Sequence, residues 1–271
     1  MDRRRSCGCR FALGLSRNSA AHGRYGASCR SLVLSILFEQ VALTGSTNAD
    51  LLARAATGAP EGLWLRADQQ GGGRGRMGRD WVSPTGNLYA STIARLLPAD
   101  PPPSTMAFVA GLAAYDTIKL VAPDVAVQLK WPNDVLSAKG EKLCGVLLER
   151  SGDAIIAGFG INLVSNPANI GRSASDLRAL GANPPEPQAV CEVLADQFAA
   201  WLKKWRQQPL ANLLRAWEAA AHPKGTALRV NLPDSEQIDG LFAGLSEDGA
   251  LSLRLADGAI RAIHAADIFL I

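Results

Sequence analysis

The sequence contains no apolar run long enough to cross a membrane, few aromatic side chains and only five cysteines in 271 residues. The longest apolar stretch near its start, residues 32–38, is interrupted by Ser35, whereas a membrane-spanning helix needs about 20 apolar residues. Cysteines without regular spacing exclude a disulfide framework and favour a reducing compartment, the cytoplasm. With 48% hydrophobic and 20% charged residues, the chain is also not mainly disordered.

The net charge of +3 is spread very unevenly along the sequence. Residues 1–30 contain seven arginines and one acid, a net charge of +6, so the rest of the chain must carry −3. An Arg-rich, acid-poor leader resembles a transit peptide and, more faintly, an export signal. We interpret it as a disordered extension or as sequence upstream of the true start. Because the body is mildly acidic, general nucleic-acid binding is not expected.

Hydrophobic periodicity divides the remainder into a main domain, residues 31–221, and a small C-terminal module, residues 222–271. Strands are predicted over residues 31–41, 62–67, 87–93, 125–130, 143–149 and 154–160, and helices over residues 48–57, 104–121, 188–206 and 210–221. After residue 225, short alternating runs separated by Asp-Gly turns predict a small antiparallel barrel or meander. The predicted fold class is therefore α/β in the wider α+β sense.

A loop between the second and third predicted strands has five glycines and three arginines within residues 71–79. Glycines let the backbone approach a ligand closely, and arginines offer planar donor forks to carboxylates and phosphates. We therefore expect this loop to bind a small anion with two acidic groups. An Arg/Gly-rich RNA-binding segment and a flexible surface loop are the alternatives.

Three further motifs each lie at one end of a predicted strand. Residues 130–134 read Lys-Trp-Pro-Asn-Asp, residues 142–145 read Lys-Leu-Cys-Gly, and residues 158–162 read Gly-Phe-Gly-Ile-Asn. Taken singly, Lys130 and Lys142 would more often be solvated charges. Taken singly, none of these motifs identifies an activity.

In this order, and preceded by Ser46-Thr47-Asn48, the motifs resemble those of biotin protein ligases over residues 46–162. The resemblance implies a class II synthetase-like biotin/lipoate ligase domain with a mixed sheet and packed helices, followed by a small all-β barrel. It also implies an enzyme that uses ATP and Mg²⁺ to convert biotin into biotinyl-5′-AMP with release of pyrophosphate. Such enzymes then transfer biotin to a lysine of a biotin carboxyl carrier protein, commonly that of acetyl-CoA carboxylase.

The resemblance further implies roles for individual residues. The implied catalytic residues are Lys142 and Arg76. The implied biotin-binding residues are Ser46, Thr47, Asn48, Gln70, Arg74, Gly75, Arg76, Lys142 and Gly145. The implied ATP- or adenylate-binding residues are Arg74, Arg76, Arg79, Trp81, Lys130, Asn133 and Asn162. Asp134 is the implied magnesium ligand, without a dedicated metal cage because phosphates hold most of the ion. Ser46 and Thr47 could also serve only as helix caps.

Only 45 residues precede Ser46, and they lack helical periodicity. The N-terminal DNA-binding domain of many bacterial ligases is therefore not expected, and neither is DNA as a partner. A lipoate or octanoate ligase or transferase of the same fold is the alternative function, although the arginine loop and the Lys-Trp-Pro-Asn-Asp motif favour biotin. A noncatalytic nucleic-acid binder is the alternative from a different class, which the acidic body opposes. No membrane partner is expected, and both a monomer and a homodimer stay open.

Overall fold

The computed structural model describes residues 36–167, 173–233 and 236–271, which all belong to one compact unit. The interpretation of residues 1–30 as a leader lies outside the described residues, as do the first residues of the strand predicted over 31–41. No helix in the described ranges is both long and apolar enough to cross a membrane.

The main part of the fold is a mixed seven-stranded sheet with four helices. Its strands are β1 (Leu37–Thr44), β2 (Leu63–Gln70), β3 (Leu88–Arg95), β4 (Val127–Lys130), β5 (Asp134–Ser137), β6 (Lys142–Ser151) and β7 (Ala154–Ile161). They are ordered β1-β2-β3-β7-β6-β5-β4. The first two strands run parallel and every other neighbouring pair is antiparallel. The helices are α1 (Thr47–Ala56), α2 (Met106–Val121), α3 (Pro187–Gln207) and α4 (Leu210–Ala220).

Hydrophobic layers cover both faces of the central strands. Successive side chains of a strand point to opposite faces, so Leu65 packs with Leu51 of α1 while its neighbour Trp64 joins the larger cluster with α2 and α3. There the rings of Trp64 and Phe159 stack with centroids 5.8 Å apart, and Phe198 of α3 packs edge-on against both. Every residue of β7 is therefore buried, and this strand forms the floor on which the site is built.

The C-terminal module is a five-stranded antiparallel sheet. Its strands are β8 (Ala227–Asn231), β9 (Gln237–Leu245), β10 (Leu251–Arg254), β11 (Ile260–Ile263) and β12 (Asp267–Leu270), in the order β11-β10-β9-β8-β12. Gly249 and Gly258 of the two predicted Asp-Gly turns have φ angles of 86° and 87°, which side chains rarely adopt. Four of the five strands match the predicted runs, and β12 is an addition.

The structure also adds β5, in a segment for which the sequence predicts no strand. Residues 134–137 pair antiparallel with β4 on one side and with β6 on the other. The Lys-Trp-Pro-Asn-Asp motif thus spans the end of β4, a tight turn and the first residue of β5. The turn brings Lys130 and Asp134 side by side as a register pair.

Candidate active site

One cleft collects nearly all of the predicted site residues. It is a cavity of about 400 Å³, within the usual range of ligand pockets, and its walls come from α1, the arginine loop, the β4–β5 turn, the central strands and β12. The predicted residues in its lining are Ser46, Thr47, Asn48, Gln70, Arg74, Gly75, Arg76, Arg79, Trp81, Lys130, Asn133, Asp134, Lys142 and Gly145. Residues from position 46 to position 268 therefore meet in one place.

A buried carboxylate organises the cationic end of the cavity. One oxygen of Asp134 lies 3.0 Å from the Nζ atom of Lys130, and the other lies 2.6 Å from that of Lys142. Burial opposes ionisation of this carboxyl, but the charges and hydrogen bonds of Lys142 and Lys130 outweigh it and lower the pKa of Asp134. Lys130 also donates to the carbonyl oxygen of Ile268 at 3.0 Å. The two ammonium groups are thus held at fixed positions.

The C-terminal module holds two arginines of the loop. Arg79 donates to both oxygens of Asp267 at 2.6 and 2.8 Å, and Arg76 donates to the carbonyl oxygen of Ala266 at 3.3 Å. Arg76 also donates to Oδ1 of Asn133 at 3.3 Å, which links the loop to the β4–β5 turn. Burial lowers the pKa of Arg76, but a guanidinium stays charged in proteins. The contact with Asn133 places the Arg76 guanidinium next to the turn that carries Lys130 and Asp134.

The opposite end of the cavity is neutral and hydrogen-bonded. The ends of the parallel strands β1 and β2 lie side by side, which places Gln70 next to the start of α1. Oε1 of Gln70 accepts from the backbone N–H of Thr47 at 2.9 Å and lies 3.1 Å from its hydroxyl. The Thr47 hydroxyl is 2.7 Å from that of Ser91, which donates to Oδ1 of Asn48 at 2.6 Å. Asn48 in turn donates to Glu149 at 2.8 Å.

Ser46 combines both roles that the sequence left open. It is the N-cap of α1, where its hydroxyl accepts from the backbone N–H of Ala49 at 3.5 Å, and it lines the cavity. A contact of that length is weak, so the hydroxyl can still turn towards a ligand.

Two glycines give Trp81 its place in the cavity wall. A Cβ atom at Gly160 would lie 2.4 Å from the indole of Trp81, and one at Gly145 would lie 2.8 Å from it. The indole therefore rests directly on the backbone of β6 and β7, and the Nζ atom of Lys142 is 5.2 Å from its ring centroid. Gly145, the predicted biotin contact, lies under this ring.

Asn162 is the one predicted site residue that the structure does not bring to the cavity lining. Its buried side-chain amide donates to the carbonyl oxygens of Ser175 at 3.0 Å and Lys142 at 3.4 Å. These contacts hold the backbone at the start of β6, so Asn162 positions Lys142 from behind. Its predicted nucleotide contact stays a prediction that these bonds do not favour.

The surroundings of Asp134 bear on the magnesium site predicted there. Both oxygens of Asp134 lie against ammonium groups, so a cation would have to displace at least one lysine. No group of three or more His, Cys, Asp or Glu side chains able to hold a metal occurs within residues 36–167, 173–233 and 236–271. The donor set around Asp134 therefore does not fit a directly bound magnesium ion.

Sequence reasoning missed five polar residues of the site, and one of them, Asp80, lines the cavity next to the arginine loop in the sequence. Ser83 accepts from Gln70 at 3.2 Å, Ser91 links Thr47 to Asn48, Glu149 ends that chain, and Asp267 holds Arg79. For Ser91 a signal existed, since a hydroxyl inside a strand predicted to be central is buried and needs a partner. For Asp267 no comparable signal existed, because an acid near a strand start is usually solvated.

Five cationic side chains, three arginines and two lysines, line one part of the cavity, and a neutral hydrogen-bonding wall lies at the other end. This arrangement suits an enzyme that acts on a small anionic substrate with a polar head. The Biotin/lipoate A/B protein ligase family model matches residues 42–166, and the biotin protein ligase C-terminal domain model matches residues 229–271.

Relatives and solved structures agree with the family models. The chain is 35% identical over 248 residues to a biotin–[acetyl-CoA-carboxylase] ligase of Paracoccus denitrificans, covering 84% of this chain and 98% of that protein. A ligase of the same name from Mycobacterium tuberculosis is 34% identical over 235 residues, covering 84% and 86%. The biotin protein ligase from Aquifex aeolicus in complex with biotin and ATP superposes with a TM-score of 0.77 at 26% identity, covering 87% and 99%. The chain belongs to the biotin protein ligase family.

These findings confirm the predicted family, the fold class of a mixed sheet with a C-terminal β module, and the ligase class of enzyme. They favour biotin over lipoate as the group that is ligated. The roles of the individual site residues stay predictions.

Proposed function

We propose that the protein is an ATP-dependent biotin protein ligase. In the first step the carboxylate of biotin attacks the α-phosphate of ATP, which gives biotinyl-5′-AMP and releases pyrophosphate. In the second step the amine of a carrier lysine attacks the activated carbonyl, so that an amide forms and AMP leaves. The observation that carries this proposal is the pair of lysines on Asp134, which faces the loop arginines across the same cavity.

The cationic end suits the first step because the two reactants are both anions. Their approach is opposed by charge repulsion, and preorganised cations offset it where negative charge develops in the transition state. We assign this role to Lys142 and Arg76, with Arg74, Arg79 and Lys130 holding the phosphates. Magnesium would enter bound to ATP and would supply further positive charge next to the phosphates.

The neutral end suits the polar head of biotin. Its ureido group has two N–H donors and one carbonyl acceptor, which an apolar pocket alone cannot orient. Thr47, Asn48 and Gln70 offer hydrogen-bonding atoms at this end, and Ser46 has a hydroxyl that can rotate. The substrate would therefore lie with its head at the start of α1 and its carboxylate towards Lys142.

We infer that the acceptor is a biotin carboxyl carrier protein, since two relatives are named as ligases of acetyl-CoA carboxylase. We place the reaction in the cytoplasm. Cys144 and Cys191 are free and buried, and burial raises the pKa of each thiol to about 12. Such thiols need no oxidising compartment. We expect no DNA or membrane partner, and either a monomer or a homodimer is compatible with the proposed reaction.

Pyrophosphate release from ATP and magnesium tests the first step without a carrier. Biotin and lipoate are supplied separately to the full chain. We expect a burst of about one pyrophosphate per enzyme with biotin, because the adenylate stays bound until an acceptor arrives. A burst with lipoate alone would move the protein to lipoate ligation. No burst with either acid would contradict the ligase proposal.

A further inference from the structure

Glu149 lies behind the neutral wall of the cavity and is outside its lining. It is on β6, two residues beyond Leu147, which does line the cavity. Its Oε2 atom accepts from Nδ2 of Asn48 at 2.8 Å, and the carbonyl oxygen of Leu147 lies 3.4 Å from the same nitrogen. The amide nitrogen of Asn48 is therefore directed at β6.

A carboxylate can only accept hydrogen bonds, so Glu149 determines which way the Asn48 amide faces. With Nδ2 turned to Glu149, Oδ1 of Asn48 must face Ser91, and at 2.6 Å it requires the Ser91 hydroxyl as donor. The single proton of Ser91 is then used. Its oxygen can only accept from the Thr47 hydroxyl, which is 2.7 Å away.

The same reasoning extends to Thr47. Its hydroxyl also has a single proton, which the 2.7 Å contact with Ser91 takes in preference to the 3.1 Å contact with Gln70. Oε1 of Gln70 is already paired with the backbone N–H of Thr47 at 2.9 Å. The oxygen of Thr47 therefore presents lone pairs to the cavity, as Oδ1 of Asn48 does.

Gly158 shows that the position of Asn48 is built into the sheet. In β7 it pairs with Ser91 on one side and with Leu147 on the other, so the Asn48 amide lies across its Cα atom. A Cβ atom at this position would lie 2.1 Å from Oδ1 of Asn48, a distance at which atoms collide. The absence of a side chain at Gly158 thus leaves room for the Asn48 amide between Ser91 on β3 and Glu149 on β6.

We propose that Glu149 is a positioning residue that sets the direction of the hydrogen bonds from Asn48 through Ser91 to Thr47, so that Asn48 and Thr47 offer only acceptors to the cavity. Such a wall selects a ligand whose head carries N–H donors, and it disfavours an acyl group without them, whose binding would leave these acceptors unpaired. The inference rests on the proposed function for the identity of that ligand, the ureido head of biotin.

The test is the affinity for biotin, measured by calorimetry on the full chain without ATP. Glu149→Gln keeps the size and shape of the side chain, but its amide can either donate to Asn48 or accept from it. The hydrogen bonds from Asn48 to Thr47 can then run in either direction. We expect a five- to twentyfold loss of biotin affinity, an increase in KM for biotin with kcat within twofold, and a smaller ratio of biotin to lipoate affinity. Glu192→Gln is the matched control, because Glu192 also accepts from a side-chain amide, that of Gln188, but at the surface of α3.

A double variant distinguishes an effect on hydrogen-bond direction from a merely structural effect of residue 149. In Asn48→Asp combined with Glu149→Gln, the acceptor-only group sits at position 48 and Ser91 must again donate to it. We expect most of the lost affinity to return. An unchanged affinity in Glu149→Gln, or a double variant no better than that single one, would overturn the inference.

Ser91→Ala provides a second route if Glu149→Gln does not fold. This change removes the hydroxyl that links Asn48 to Thr47 by hydrogen bonds. We therefore expect a loss of biotin affinity similar to that of Glu149→Gln. Equal affinity to wild type would overturn the inference. If the wild-type chain itself does not bind biotin, the proposed function falls together with it. If the wild type binds and the variants bind equally well, only the role of Glu149 falls.

Discussion

The two ends of the cavity lie on one sheet but are held in different ways. At the cationic end, long side chains from three distant segments are fixed by Asp134, Asp267 and backbone carbonyl oxygens. At the neutral end, short side chains at the start of α1 and in β3 contact one another directly. Long side chains lose more rotamer entropy when they are ordered, so they need these extra partners.

This difference separates two kinds of vulnerability. Lys130 and Asp134 are buried, at 8% and 3% exposure, and a buried charge without its counter-charge is costly. The neutral wall contains no formal charge until Glu149 at its far end. Damage at the cationic end should therefore appear in the stability and rate of the enzyme, and damage at the neutral end mainly in its affinity.

The largest effect is expected for Asp134→Asn. This change leaves Lys130 and Lys142 without their shared counter-charge, which should lower the free energy of unfolding by about 3–5 kcal/mol. Urea unfolding measures it, with the exposed Asp124→Asn as control. Since the pKa of Asp134 is lowered in the fold, its contribution in the wild type should persist above about pH 4 and be lost only below it. A loss under 1 kcal/mol would mean that the lysines find other partners.

Lys142→Ala should come next, and it tests rate rather than stability. Loss of one preorganised cation should slow biotin-dependent pyrophosphate release about 10²–10³-fold, with a smaller change in biotin affinity. Lys139→Ala is the control, because Lys139 is exposed three residues earlier. A variant that loses only affinity would remove Lys142 from the chemistry and weaken the contrast between the two ends.

The free energy of unfolding measured against pH tests a buried histidine near the cationic end, His222, which stays neutral in the folded protein. His222 is buried against Phe242, with ring centroids 4.5 Å apart, and burial, aided by the charge of Lys130, lowers its pKa to about 4. Between pH 6.5 and 4 the unfolded chain binds a proton that the folded chain does not, so stability should fall as pH falls. The full loss is about 3 kcal/mol.

Two variants check the assignment to His222. His222→Leu should flatten the stability profile between pH 6.5 and 4, and the same series on a variant of the exposed His264, His264→Asn, serves as the comparison. A profile that keeps its slope in His222→Leu would assign the acid sensitivity to other groups.

The smallest effect is expected for Asp267→Asn, because the Arg79–Asp267 pair is partly exposed, at 37% and 21%. We expect the free energy of ATP binding to weaken by about 0.5–1 kcal/mol, which should appear as a threefold to fivefold increase in KM for ATP. Asp239→Asn is the control, since it breaks an exposed Arg–carboxylate pair in the same module. An effect as large as that of Asp134→Asn would erase the distinction between buried and exposed anchors.

Most of the fold and the membership of the site were predictable, because both depend on local patterns. Alternating and helical periodicities located the long elements, and the motifs named fourteen residues that line the cavity. The strands β5 and β12 were missed because their sequences, Asp-Val-Leu-Ser and Asp-Ile-Phe-Leu, place apolar residues side by side and do not alternate. Asn162 was assigned to the ligand although its amide is used by backbone carbonyl oxygens.

The partners that hold the site were not predictable, since they lie far away along the chain. Ser91 is 43 residues from Asn48, Glu149 is 101 residues from it, and Asp267 is 188 residues from Arg79. No spacing rule connects such pairs, and only the folded sheet shows which of them meet. The residues that hold the predicted site residues in place are therefore the part of the site that only the structure reveals.

The anchoring of the arginine loop on β12 also has a consequence in time. A ribosome that adds 5–20 residues per second needs about 10–40 s to proceed from Arg79 to Asp267, 188 residues later. Through that interval Arg79 and Lys130 lack the anchors that β12 supplies. The nascent sheet therefore carries an unfinished cationic cleft, and the ability to hold an anion there arrives only when β12 has been made.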